Sequence, residues 1–201
     1  MVTTEDPQYR FALPDELGES QSLDLARGQV GWAVAGKPGA AQDTLALLDG
    51  HDDALVRTCR PGHLTGSAFV VDHTGTRILL LFHTKLQMWL QPGGHADGDA
   101  NLAGVALREA TEETGIDGLR VVVPPIDLDV HRVDPPKEDA HNHHDVRFLV
   151  VAPEGATLAT NHESQGAKWV TAQELESVDV DDGTRRMAKT GLKAAAQLLQ
   201  S

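Results

Sequence analysis

Between Gly93 and Ile116 the chain reads GGHADGDANLAGVALREATEETGI, whose second half crowds Arg108, Glu109, Glu112 and Glu113 together and stops at Gly115. A helix through this stretch turns about 100° per residue, so Glu109 and Glu113 lie within about 40° of one another. Glu112 stands about 60° to one side of Glu109. Ala103, Leu107, Ala110 and Thr114 fall on a separate stripe suited to burial. Three carboxylates on one side of a helix are a poor local arrangement, because like charges at i and i+4 cost roughly 0.2–0.5 kcal/mol per pair. Acids in the last turn also oppose the helix dipole, by roughly 0.3–1 kcal/mol each. Arg108 offsets part of this through Glu112 at i+4, in the weaker orientation. A divalent cation removes the conflict, since clustered carboxylates are hard oxygen ligands suited to magnesium or manganese. The alternative is a solvated acidic face. A Gly93-Gly94 turn before the helix and the Gly115 stop after it favour the ligand reading.

The same residues carry a family resemblance. The stretch resembles the Nudix hydrolase signature, G-x5-E-x7-R-E-U-x-E-E-x-G-U, where U is a bulky apolar residue. Gly94, Arg108, Glu109, Glu112, Glu113, Gly115 and Ile116 match in register, and Ala110 is a small substitute at the first U. The first Glu of the signature falls on Ala100, so that carboxylate is missing here or supplied by Asp97 or Asp99. The resemblance covers about Leu64 to Gln200, and its specific part is the signature alone. It implies an α/β/α sandwich around a mixed sheet, where residue patterning gives only α+β. It also implies a metal-dependent hydrolase that cleaves a diphosphate linkage in a nucleoside diphosphate joined to another group X. By the same resemblance the Gly93 carbonyl, Glu109, Glu112 and Glu113 hold Mg2+ (or Mn2+), and one carboxylate orients or deprotonates the attacking water. Arg108 fixes the carboxylates. Glu163, six residues before Trp169, resembles a family loop acid that serves as an extra ligand or base; Trp169 reads as core.

A second cluster lies downstream, at His131 and then His141-Asn142-His143-His144-Asp145. In an extended strand His143, Asp145 and Arg147 share one face, while His144, Val146 and Phe148 share the other. His143, Asp145 and Arg147 are therefore candidate substrate contacts; a solvated loop running into an edge strand is the alternative. His95 is a further candidate for phosphate, and Trp89 for stacking on a base. A zinc site is disfavoured, since no cysteine is near and the spacing fits no structural zinc pattern.

Composition bounds the rest. The chain has 201 residues with 40% apolar and 4% aromatic residues, enough for one domain with an appendage. A formal net charge of −13 opposes non-specific nucleic-acid binding. It would also repel a phosphate substrate, unless a carboxylate-held cation reverses the local field. No apolar run is long enough for a membrane span. The first residues, MVTTEDPQYR, lack the features of a secretory signal. Cys59 is the sole cysteine, which fits a reducing cytoplasm and excludes an internal disulfide. A catalytically silent nucleotide-sensing domain on the same fold is the competing reading, with Ala100 in its favour. An isoprenoid diphosphate isomerase is disfavoured, since that chemistry in the family uses a cysteine and Cys59 lies outside the matching region.

Residues 1–62 read as an N-terminal extension of helix and loop packed on a main domain of 63–201. Helical patches are expected near Ser22–Arg27, Ala41–Leu48 and Asp52–Arg57, anchored by Leu45, Leu47, Leu48, Leu55 and Val56. The extension also offers a surface for a homodimer contact. Beyond it, Ala68–Val71 and Arg77–Phe82 flank a His73-Thr74-Gly75 turn as a hairpin. Met88–Leu90, Leu119–Val123, Ile126–Val133, Val146–Ala152 and Lys168–Val170 read as strands, and 134–143 as loop. Helices are expected over Asn101–Thr114, from Thr171 behind a Thr cap, and over Thr184–Leu199.

Overall fold

The computed structural model describes residues 8–33, 39–84, 86–135, 138–158 and 164–199. Two long strands form its centre, β2 (Gly62–Val71) and β8 (His141–Val151), paired parallel with His63 beside His143 and Val71 beside Val151. Every other pairing is antiparallel. On the β8 side lie β6 (Arg120–Val123), β7 (Asp127–Val133) and the short β1 (Arg10–Phe11), which pairs with β6. On the β2 side lie β3 (Arg77–His83), β4 (Met88–Leu90), β5 (Gly93–His95) and β9 (Ser164–Thr171).

Strand alternation divides the core between the two faces of this sheet. Even-numbered positions Ala68, Val70, Phe148 and Val150 face the layer of α1 (Leu23–Gly31), α2 (Ala40–Gly50) and α3 (Leu102–Thr114). Odd-numbered Phe69, Val71, Leu149 and Val151 face α5 (Asp182–Leu199), through Met187, Ala188, Ala194 and Ala195. A short α4 (Ala172–Leu175) follows β9, its first turn closed by a capping box between Thr171 and Glu174. The result is the α/β/α sandwich with a mixed sheet. Among the described residues, no helix is long and apolar enough to cross a membrane.

Helix α3 begins and ends as its sequence expects, with Gly115 in the left-handed region at φ 64° as its C-terminal stop. Its N-terminus is closed by residues from far upstream. The Leu102 N–H donates to Gln29 Oε1 of α1 at 2.9 Å, and Asn101 Nδ2 donates to the carbonyls of Glu16 and Gly18. Ala26, Val30, Leu47, Leu48 and Leu55 of the N-terminal part thus share a core with the signature helix.

Several local expectations need correction. Asp52–Arg57 forms turns rather than a helix, and Val56 is 38% exposed instead of an anchor. Gly93-Gly94 is no turn; its backbone pairs with β2 at Ser67 and Gly66. The segment read as loop up to 143 is already strand from His141, paired on one side with β2 and on the other with β7, and His143 lines a cavity rather than bulk water.

Candidate functional site

A cavity of about 560 Å3 opens where β5 meets the end of α3. Its wall includes Gly93, Gly94, His95, Glu109 and Glu113, with Thr65, Ser67, His131, His143 and Asp145 from the sheet. Antiparallel pairing sets Gly93 opposite Ser67 and Gly94 opposite Gly66. The Gly93 N–H donates to Glu113 Oε2 at 3.1 Å. A Cβ on Gly94 would strike the Glu109 carboxylate, and one on Gly93 would strike Ser67. The two glycines are thus required by close approach, and they bring backbone against two of the three helix carboxylates. Glu112 is exposed and stands outside the cavity wall. Arg108 is 3.4 Å from Asp99 and 3.9 Å from Glu109, on the carboxylate side of α3.

Ala100 is fully buried and its N–H donates to the Ser20 carbonyl at 2.6 Å. Both neighbouring acids have partners of their own. Asp97 pairs with Arg57 at 2.9 Å, a hydrogen bond that holds its carboxyl below the usual range. Asp99 accepts from the backbone amides of Ser20 and Asn101 and pairs with Arg108.

The second cluster divides as the alternation of β8 requires. His144 turns to the helix layer, where its Nδ1 lies 2.9 Å from Thr44 Oγ1 of α2. His143 and Asp145 turn to the cavity. Asp145 Oδ1 accepts from the hydroxyls of Thr65 and Ser67, and Oδ2 from Arg147 Nε at 2.7 Å. Burial pushes the Asp145 carboxyl up, but the Arg147 guanidinium overrides this and leaves it lowered. Arg147 is itself 2% exposed, reaching Asp127 at 3.1 Å, Asp129 at 3.4 Å and the Gly183 carbonyl at 3.0 Å. Its guanidinium is committed inside the protein, away from the cavity wall. Trp89 also stands outside that wall, packed edge-on to Phe82 with Lys168 Nζ 3.9 Å above its ring. Glu163 lies outside the described residues.

The structure adds residues that sequence reasoning passed over. His63 of β2 is fully buried and neither ring nitrogen has a hydrogen-bond partner among the described residues. Its ring centroid lies 5.0 Å from His95, 4.8 Å from His141 and 4.9 Å from His143. Burial, aided by the neighbouring His95 and His141, lowers the His63 imidazole to about 4, and burial lowers His143 to about 3. The available signal was the polar alternation His63, Thr65, Ser67 along an otherwise apolar strand. Arg57 is the other addition, on the cavity wall between Asp97 and His95.

The carboxylates of Glu109 and Glu113, set against the glycine backbone, fit a hard divalent cation; among the described residues Arg57 is the cationic side chain on the cavity wall. A cation held there would let a cavity with acidic side chains on its wall accept an anion.

Three solved structures share this architecture. A Nudix-family hydrolase from Clostridium perfringens is 22% identical, with a TM-score of 0.51 over 66% of this chain and 95% of its own. The Ap4A hydrolase of C. elegans is 17% identical, with a TM-score of 0.52 over 63% of this chain and 93% of its own. A NUDIX hydrolase from Alicyclobacillus acidocaldarius is 15% identical, with a TM-score of 0.51 over 67% and 94%. At these identities the likeness is one of fold. No curated protein matches the sequence. The NUDIX domain family model matches residues 63–190, a span that holds the β2–β8 pair, the cavity and all of α3. By that match and the α3 signature together, the chain belongs to the Nudix family.

Proposed function

We propose that this protein is a Mg2+-dependent pyrophosphohydrolase, acting on a small nucleoside diphosphate linked to a group X in the cytoplasm. The observation that carries this reading is the seating of Glu113 and Glu109 against Gly93 and Gly94 on one cavity wall. In this reading Glu109, Glu112, Glu113 and the Gly93 carbonyl would hold Mg2+ or Mn2+. The ion would neutralise phosphate charge and lower the pKa of bound water. The chain's own residues bind and orient. Gly93 fixes Glu113 through its amide, Arg108 and Asp99 brace Glu109 from the far side, and Arg57 puts positive charge on the wall. His95 and His143, held below their ordinary pKa first by burial, present neutral imidazoles to the substrate phosphates. Water oxygen forms a bond to phosphorus, the bridging P–O bond breaks, and a proton is released.

A second reading, a silent nucleotide sensor, draws on Ala100, whose buried position leaves no carboxylate where the signature has one. One experiment separates the two: a nucleotide panel incubated with magnesium or manganese and read by product mass. Hydrolysis gives two phosphorylated products whose masses sum to substrate plus water. Ligands that raise the melting temperature yet stay intact would establish the sensor instead, and a panel that neither binds nor reacts would end both readings.

A further inference from the structure

We propose that His63, His95 and His143 form a three-imidazole site for a divalent transition metal, zinc in particular, with an open coordination position facing the cavity. The inference takes His95 and His143, given above as phosphate contacts, as metal ligands instead; it uses none of the helix carboxylates, although both sets line one cavity. Strand register builds it. His63 lies opposite His143 in the parallel β2–β8 pair, and His143 lies opposite His131 in β7. His95 of β5 lies opposite Thr65, two residues along from His63 and therefore on the same face. Ligand nitrogens of His63, His95 and His143 all lie within 4.8 Å of one another. A tetrahedral ion at about 2.0–2.1 Å from each nitrogen needs them roughly 3.4 Å apart, a closure that side-chain rotation supplies.

His63 supplies the independent observation. A buried imidazole with both nitrogens unpartnered is costly to leave so, and a metal ion is one of the few partners that satisfies it. Imidazole sets suit zinc over magnesium, and three histidines with one open position are the donor set of water-activating zinc centres. Two further histidines are buttressed in the way that supports metal ligation. His141 Nδ1 lies 2.7 Å from the Asp139 carbonyl, and His131 Nδ1 lies 3.2 Å from Asp129 Oδ2. Their rings stand 5.3 Å and 5.6 Å from that of His143, close enough for either to join. The local charge also favours a cation, since Asp127, Asp129 and Asp145 face Arg147 and Arg186 with one carboxylate in excess. Arg57 is the opposing feature. Its Nη2 lies 3.3 Å from His95 Nδ1, a contact from an exposed side chain that competes with a metal at that nitrogen and leaves Nε2 open.

The test is metal binding by the full chain, stripped with a chelator and titrated with zinc by calorimetry. The expected result is one zinc per chain. His143→Gln and His63→Ala should each weaken it by more than the roughly 10–100-fold typical of losing a supporting partner. Cobalt(II) should give the visible absorption of a low-coordinate, nitrogen-ligated ion. That spectrum should survive in the Glu109→Gln, Glu113→Gln double variant and vanish in the histidine variants. A spectrum that follows the carboxylates and ignores the histidines would overturn the proposal. Should circular dichroism show either histidine variant unfolded, the folded wild-type protein still decides, because absence of the nitrogen-ligated spectrum at saturating cobalt is enough to reject the site. These readouts report binding alone, so a protein that hydrolyses nothing can pass and a working hydrolase can fail.

Discussion

The amide of Gly93 and the carboxylate of Glu113, twenty residues apart, meet at 3.1 Å and tie an edge strand to the last turn of α3. The bond fixes where a negative charge sits relative to a backbone carbonyl on the same glycine. Glu113→Gln keeps the shape and the acceptor for that amide but removes the charge. We expect nucleotide hydrolysis to fall by about 100-fold or more, while the melting temperature moves little, as for substitutions that disturb no packing. A variant as active as wild type would remove Glu113 from the mechanism.

Gly94→Ala probes the neighbouring contact. The new Cβ would collide with the Glu109 side chain from its carboxylate back to Cγ, so that side chain must shift. Its carboxylate is then displaced by about 1 Å, a shift that can cost ~100-fold in rate. The expected signature is lost turnover with a nearly unchanged unfolding curve. An equal loss of both would mean the glycine serves packing alone.

Arg147→Met tests the buried charge cluster. Removing this guanidinium leaves Asp127, Asp129 and Asp145 facing one another with the partly exposed Arg186, His131 beside Asp129 and the Thr65 and Ser67 hydroxyls on Asp145 to compensate. Breaking a buried pair from one side typically costs about 3–5 kcal/mol, readable as a lower urea midpoint. An unshifted midpoint would show that the cluster is neutralised by other means.

Acid should weaken the metal-free protein in a defined window. Burial holds His63 and His144 down at about 4 and His143 at about 3, against an ordinary value of 6.5. The unfolded chain therefore takes up protons first as pH falls below 6.5, and the native state does so only near 4. Their stabilising contribution is complete above 6.5 and is lost as pH falls through the folded values. Asp129 and Asp145, lowered below an ordinary 3.8 despite burial, enter only at still lower pH. A melting temperature that stays level from about pH 7 to about pH 4.5 would contradict this.

Much of the fold was legible wherever a local rule decided it. Helix α3 could be read from its apolar stripe and the Gly115 stop, the β2–β3 hairpin from His73-Thr74-Gly75, and the two faces of β8 from simple alternation. The site was legible only where it was contiguous. Glu109 and Glu113 announce themselves by spacing, but His63 acquires its meaning from a parallel pairing with His143 of β8, 80 positions further along the chain. No local signal encodes such a register. Gln29 is similar, an ordinary helix residue until it closes the start of α3. The polar stretch 141–143, read as the end of a loop, was misleading for a physical reason, since polar residues held between two neighbouring strands, with His143 facing a cavity, look like loop residues when water is assumed to be their neighbour.

The parallel register that sets His63 beside His143 also sets Phe69 beside Leu149. A slip of one residue between β2 and β8 would turn the imidazoles and Arg147 into the oily layer beneath α2 and α3 while pushing Phe148 out towards α5. Correct chemistry and correct hydrophobic closure are thus selected by a single alignment, so a chain that has buried its apolar residues properly has already assembled its histidines.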